Sequence, residues 1–476
     1  MGDTGMETRE AAGSSILKGG ISGTVWRLAL PTWAAFIFLN LMSIVDMFFV
    51  GKLGPSAVAA LTMSGMMFGI IIMLALGLET GITALVANAI GRGDPRGAGE
   101  VAAQGLVMAG FLAVPLAAFG IPLAPGIIRA LGGSPAVVAE GAAYLRIVSG
   151  GGLTILIMIS MAGAFRGAGD PMTPLKAMIA ANVFNAVLDP ILIFGWLGLP
   201  ALGVAGSAWA TVTGRALGVL MLVHALLSRR NTSILLHLSD LRPRVGVMRR
   251  IGRIGIFASG RVLLRNIGLL LLMRMTATFG TVAVAAFGIG MRLQMLVLGP
   301  GKGFGTAAAA MVGQNLGAGQ PDRAARSGWV ASGIALCVGV LFTALFWADP
   351  GLLIRVFNKD PEVVKAGVSL LHWFSASFPF LVVALVLGNA MNGAGDSLRP
   401  MVVMGVALLG VGVPVAYFLS NTWDSVTGIW VALLVSNCLA GLLSAAVFKR
   451  GRWKEAGEPV PTVSGLAESQ PQGAEQ

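Results

Sequence analysis

How little of this chain is polar for long constrains it most. Apart from the two ends, only residues 228–250, "SRRNTSILLHLSDLRPRVGVMRR", form a long polar stretch, and six apolar segments lie on either side of it. A helix needs about 20 mostly apolar residues to cross the hydrocarbon core of a bilayer. Twelve segments meet that need: 24–50, 56–89, 100–124, 137–165, 172–197, 203–227, 251–279, 282–311, 325–348, 362–391, 398–420 and 426–448. They are called spans 1 to 12 below. Charged residues make up 11% of the chain, against about 25% in soluble domains, and the mean hydropathy is +0.83. The pattern predicts an all-α polytopic membrane protein. Its parts would be an N-terminal tail (1–23), a first lobe (24–228), a linker (229–250), a second lobe (251–448) and a C-terminal tail (449–476) with the Pro/Gly/Glu/Gln composition of disorder.

A formal charge of +12 would suit nucleic acid, but the positions of the charges argue otherwise. Of the 33 Lys and Arg residues, 21 fall on the side that holds both chain ends. The opposite side holds six, Lys52, Arg129, Arg146, Arg355, Lys359 and Lys365, and six sit within spans: Arg215, Arg261, Arg265, Arg274, Arg292 and Lys302. The positive-inside rule then places both termini in the cytoplasm of a plasma-membrane protein. It also accounts for the basic balance without a nucleic-acid partner. The two cysteines, Cys337 and Cys438, suggest no disulfide framework, and His224, His237 and His372 show no metal-ligand spacing.

The two halves repeat. One shift of 226 residues aligns "LGPSAVAAL" (53–61) with "FGTVAVAAF" (279–287). It also aligns "VANAIGRGDPRGA" (86–98) with "VGQNLGAGQPDRA" (312–324), and "AFRGAGDPMTP" (164–174) with "AMNGAGDSLRP" (390–400). Six spans per copy is an even number, so the copies share orientation. Parallel repeats of this kind are a transporter architecture.

With these motifs the chain resembles the multidrug and toxin extrusion (MATE) family. "LALPTW" with Pro31 is followed by "SIVDMFFVGKLG" with Asp46, and span 5 reads "NVFNAVLDPILIFG" with Asn185 and Asp189. The resemblance covers roughly 24–450. It implies two six-helix lobes forming a V and efflux of organic substrates against H⁺ or Na⁺. It further implies that Asp46, Asp189 and Asn185 bind the coupling ion, that span 1 bends at Pro31, and that Tyr144 and Ser207 support the site. No further cofactor is implied, and no catalytic or metal-ligating set. The partners would be small organic substrates and membrane lipids, with the protein working as a monomer.

The residues also speak for themselves. A carboxylate at mid-membrane costs about 2.5–3.5 kcal/mol on insertion scales, so an intramembrane acid is a functional candidate. Asp46 and Asp189 lie late in two spans that run the same way, so they can meet, and Asn185 stands one turn before Asp189. The alternatives are that Asp46 marks a helix end and that Asp189 bonds a neighbouring helix. Pro190 and Pro31 each remove a backbone donor, which serves either a hinge or a packing kink. Glu79, late in span 2, is either a proton relay or a structural partner of a base such as Arg215. Asp170 and Asp396, in "GAGDPMTP" and "GAGDSLRP", read as helix caps. "LGPGKGFG" (298–305) lacks the ending of a phosphate loop and lies inside a span.

The second half lacks the acidic pair, because Leu272 and Val415 stand where the repeat would put it. It carries Arg261 and Arg265 one turn apart instead. These arginines either line a cavity that favours anionic or zwitterionic substrates or snorkel to the cytoplasmic interface. The leading reading is an efflux transporter that exchanges cytoplasmic organic substrates for external H⁺; the competing functions are Na⁺-coupled export, export of organic anions, a lipid-linked saccharide flippase of the same superfamily, and a membrane enzyme, for which no paired catalytic motif is present.

Overall fold

The computed structural model describes residues 16–228 and 233–456. The tail expectations for 1–15 and 457–476, and residues 229–232 of the linker, lie outside the described residues. Among the described residues, ten helices are individually long and apolar enough to cross a membrane, and two bent pairs, each taken as one span, bring the number to twelve. Spans 1, 2 and 3 are Ile21–Gly51, Pro55–Gly91 and Pro95–Ala130. Span 4 is Pro135–Gly150 plus Gly152–Gly167, and spans 5 and 6 are Met172–Phe194 and Val204–Leu227. In the second lobe, spans 7, 8 and 9 are Val245–Ala277, Thr281–Gly317 and Pro321–Ala348. Span 10 is Pro361–Ala376 plus Phe378–Gly393, and span 12 is Thr427–Lys449. Span 11, Leu398–Thr422, contains a π-helical stretch at Gly405–Gly412.

Local chemistry sets the ends. Gly93, at φ +72°, closes span 2 in the left-handed region that glycine enters freely. Asp94 then accepts from the Gly97 amide at 2.7 Å, and Pro95 fills the first turn of span 3, where no amide donor is needed. The second lobe repeats the device with Gly319 (φ +70°) and Pro321. The same 226-residue shift relates Gly54 to Gly280 and Gly169 to Gly395, all with positive φ. It also relates the break at Gly151, where span 4 bends by 48°, to the break at Ser377, where span 10 bends by 46°. The repeat is therefore one of backbone geometry as well as of letters.

Exposed Phe111, Val114 and Phe119 on span 3, Val183 and Val187 on span 5, and Leu341 and Leu345 on span 9 form an apolar exterior suited to lipid. The lobes meet towards the face that holds both ends of the described residues, here the terminal face. A Cβ on Gly91 would lie 2.0 Å from the Gln314 carbonyl oxygen, and one on Gly317 would lie 2.1 Å from that of Asn88. Ser259 donates to the Met73 carbonyl at 3.1 Å, and Gln314 to that of Gly167 at 2.8 Å. Ile16, buried beside Gly169, and Arg323, which donates to the Gly19 carbonyl, add a clasp. Towards the opposite face, the apolar clusters around Val50, Tyr144 and Ile193 and around Ala60 and Ile128 draw on first-lobe residues alone. The structure is thus shut at the terminal face. The linker is fastened to span 3: the Gln104 amide donates to the carbonyls of Asp240 and Arg242, and Arg244 pairs with Glu100 at 2.7 Å.

Closure at the terminal face depends on backbone-to-backbone approach, so Gly91→Leu should rock the lobes the other way. Spin labels at Lys52 and Lys359, both on the opposite face, should move closer together by several ångströms in double electron–electron resonance. An unchanged distance distribution would refute this account of closure.

Candidate functional site

Spans 1, 5 and 6 build a polar centre inside the first lobe. Gly214 on span 6 lets span 5 approach: a Cβ there would lie 2.8 Å from the Ala181 carbonyl oxygen and 3.2 Å from the Asn185 Cβ. Across this contact, Asp46 Oδ1 accepts from Asn185 Nδ2 at 3.3 Å and Oδ2 accepts from Thr211 Oγ1 at 3.1 Å. Asn185 Nδ2 also lies 3.4 Å from Thr211 Oγ1. Asp189, one turn beyond Asn185, comes within hydrogen-bonding reach of Asp46. Asn185 and Asp189 are both 0% exposed. Both Asp189 oxygens, Asn185 Oδ1 and Ser207 Oγ are buried with no partner among the described residues. Tyr144 is buried on span 4 and Arg215 on span 6, and the Arg215 guanidinium lies 4.6 Å from the Phe68 ring centroid.

A second polar region is the cavity between the lobes, about 270 Å³ in volume. Spans 1, 2 and 4 contribute Thr32, Phe36, Glu79 and Arg166, and spans 7, 8 and 10 contribute Arg261, Arg265, Lys302 and Asn389. Glu79 forms an ion pair with Arg166. The structural reading of Glu79 therefore has a different partner from Arg215, which sits nearer the middle of span 6 and faces Asp46. Arg261 donates to Asn389 Oδ1 at 3.0 Å and Arg265 to Gln294 Oε1 at 2.9 Å. They line the cavity rather than reaching for the interface, because span 7 presents both to spans 8 and 10. Neither Asp46 nor Asp189 lines it. Pro31 lies inside the continuous helix of span 1, one residue before cavity-lining Thr32.

Four contributors escaped the sequence reading. Thr211 had an available cue, since Ser207, Thr211 and Arg215 fall at successive i, i+4 positions on one helix face. Arg166 reads as a terminal-face charge by position alone. Asn389 and Gln294 become visible only once span 7 is in place. The Asp170 and Asp396 carboxylates do accept from amides in the first turns of spans 5 and 11, as caps.

Two parallel six-helix lobes with ionisable groups turned inward define the class: a polytopic membrane protein built as a two-lobe transporter. Comparison with known proteins makes this specific. The MatE family model matches residues 31–191 and again 258–418, once in each lobe, and the chain belongs to that family. It is a membrane transporter and not an enzyme. The chain is 26% identical over 437 residues to the probable multidrug resistance protein NorM of Thermotoga maritima, across 90% of this chain and 92% of that one. It is likewise 26% identical over 436 residues to a FAD transporter of Shewanella oneidensis, across 90% and 94%. The fold matches the outward-facing conformation of a multidrug resistance MATE family transporter with a TM-score of 0.85, at 24% identity, across 94% of this chain and 99% of that one.

Thr211→Val removes a hydroxyl that serves two buried partners while keeping the shape of the side chain. It should cost about 1 kcal/mol of stability, seen as a lower midpoint of thermal unfolding in detergent. Thr211→Ser should recover most of the loss. Equal stability for Val and Ser would show that the hydroxyl is not holding Asp46.

Proposed function

We propose that this protein is a proton-coupled exporter of small organic molecules, and that Asp46 and Asp189 form its coupling site with Asn185. It works as a monomer in the plasma membrane, with the terminal face towards the cytoplasm, where the excess of Lys and Arg belongs. One observation carries the reading: Asp189 is wholly buried, faces a second carboxyl group and has no donor for either oxygen among the described residues. A buried charge without a partner is expensive, and two facing carboxylates oppose each other's ionisation. A proton relieves both costs and needs the least room. The pair then has two states that differ by one proton, and they interact as a unit.

Span 1 offers the coupling a route to the substrate. That helix carries Asp46 at one end and lines the cavity with Thr32, Phe36 and Leu39 towards the other. Pro31 removes a backbone hydrogen bond next to the cavity-lining segment and so eases bending there. With its terminal face shut, the structure corresponds to the releasing half of an export cycle. Tyr144, Ser207, Thr211 and Arg215 hold the geometry around the pair.

Sodium is the second reading. The unpartnered oxygens of Asp189, Asn185 and Ser207 are all of the hard type that alkali and alkaline-earth cations prefer. Proteoliposomes separate the two. With sodium replaced by choline, a proton gradient should drive export of ethidium, of flavin mononucleotide or of both, and Asp189→Asn and Asp46→Asn should each reduce it at least tenfold. Exchange of substrate at equilibrium should persist in both variants. Transport driven by a sodium gradient alone, at equal pH on both sides, would replace the proton reading with the sodium one.

A further inference from the structure

The cavity between the lobes has the wrong polarity for a cationic substrate. Four cationic side chains line it, Arg166, Arg261, Arg265 and Lys302, against one carboxylate, Glu79, which is paired with Arg166. Arg261, Arg265 and Lys302 form no ion pair among the described residues. The arginines are held by neutral amide oxygens instead, Asn389 for Arg261 and Gln294 for Arg265. An amide oxygen orients a guanidinium while leaving its charge uncancelled. None of the three has a nitrogen among the buried atoms that lack a partner, so their remaining donors look into the cavity and not into protein. Arg265 stands one turn beyond Arg261 on span 7, which places two planar forks on one wall.

The glycine-rich run "LGPGKGFG" has its explanation here. A Cβ on Gly299 would lie 2.8 Å from Trp33 Nε1, one on Gly303 would lie 2.7 Å from the Ala29 carbonyl oxygen, and one on Gly301 would lie 3.1 Å from Leu385. The glycines therefore bring spans 1 and 10 against span 8. Lys302 is left between them, with its Nζ 4.4 Å from the Phe36 ring centroid. The first lobe adds apolar lining, Leu39, Ile159 and Met178 among it, beside the Glu79–Arg166 pair.

We propose that this cavity binds organic anions: molecules with phosphate or carboxylate groups that Arg261, Arg265 and Lys302 hold, and an apolar or aromatic body that lies against Phe36, Leu39 and Met178. The proposal names the substrate class of the exporter described above and rests on that reading for direction and coupling, but the binding preference stands apart from it. Three unneutralised cations lining one cavity repel one another, and a polyvalent anion removes that repulsion. A cation would add to it.

The test is binding to the purified full-length protein in neutral detergent, with probes matched in shape. Flavin mononucleotide and riboflavin differ by one phosphate, and quenching of flavin fluorescence reads both. Flavin mononucleotide should bind at least tenfold more tightly than riboflavin. The preference should shrink with added salt and fall to about twofold or less in Arg265→Gln and in Lys302→Met. Lys302→Arg, which keeps the charge, should retain it, and an unchanged riboflavin affinity in Lys302→Met should show that span 8 is intact in that variant. Asp189→Asn should keep the anion preference while losing proton-driven transport, so failure of the coupling reading and failure of this one are distinguishable. Dioctanoyl phosphatidate as competitor tells the sources apart: displacement of flavin mononucleotide points to lipid phosphates, and no displacement points to soluble ones. Equal affinity for the two flavins, or tighter binding of tetraphenylphosphonium than of flavin mononucleotide, would overturn the proposal.

Discussion

Hydrocarbon offers no hydrogen bonds, and everything in this structure answers to that constraint. Backbone groups must be satisfied within the segment that carries them, so the spans are helices. Ionisable side chains must find an interior, and this chain makes two. One is the polar centre of the first lobe, which holds Asp46 and Asp189, and the other is the cavity between the lobes, which holds Arg261, Arg265 and Lys302. Glycine makes both interiors possible. Gly214 admits span 5 to span 6, and Gly299, Gly301 and Gly303 admit spans 1 and 10 to span 8. At Gly214, Gly299 and Gly303 a methyl group would meet a backbone or ring atom, so the close approach of helices and the placing of charge are one problem with one solution.

The backbone repeat and the charge pattern diverge, and the divergence carries the functional content. Left-handed glycines and helix breaks recur at a constant 226-residue shift, yet Leu272 and Val415 replace the two aspartates in the second lobe. A symmetric scaffold with asymmetric charges can give each lobe a different task. On the proposed reading the first lobe handles the proton, while the second supplies most of the cations that face the substrate.

Much of this was legible in the sequence. The apolar segments gave twelve spans, because period and length suffice where the solvent is lipid. The i, i+4 relation of Asn185 and Asp189 put both on one face, and shared helix direction put Asp46 at a matching depth. Contacts that depend on register between helices were not legible. Glu79 could be assigned a basic partner in kind but not in identity, because nothing in one sequence says how far span 4 slides along span 2. Whether Arg261 and Arg265 face the cavity or the interface depends on the rotation of span 7, and a helix with apolar residues on every side gives no face to read. The glycine run around Lys302 looked like a failed phosphate loop because its meaning lies in what packs against it.

Separation of the two interiors also bears on energetics. If acids and bases shared one cavity they would neutralise each other, and the substrate would compete with ion pairs already formed. Placed apart, the pair can titrate while the cationic cavity keeps its charge, and spans 1, 5 and 6, which contribute residues to both, connect them. On the proposed reading the membrane potential favours the cycle twice. A proton entering and an organic anion leaving move charge in the same electrical direction, and each elementary charge is worth about 2.3 kcal/mol per 100 mV. Export of a cation in exchange for one proton would draw nothing from the potential. On that reading a basic cavity set apart from an acidic coupling site lets the same potential drive both half-reactions, which is a physical reason for the aspartate pair to stand in one lobe and most of the cavity's cations in the other.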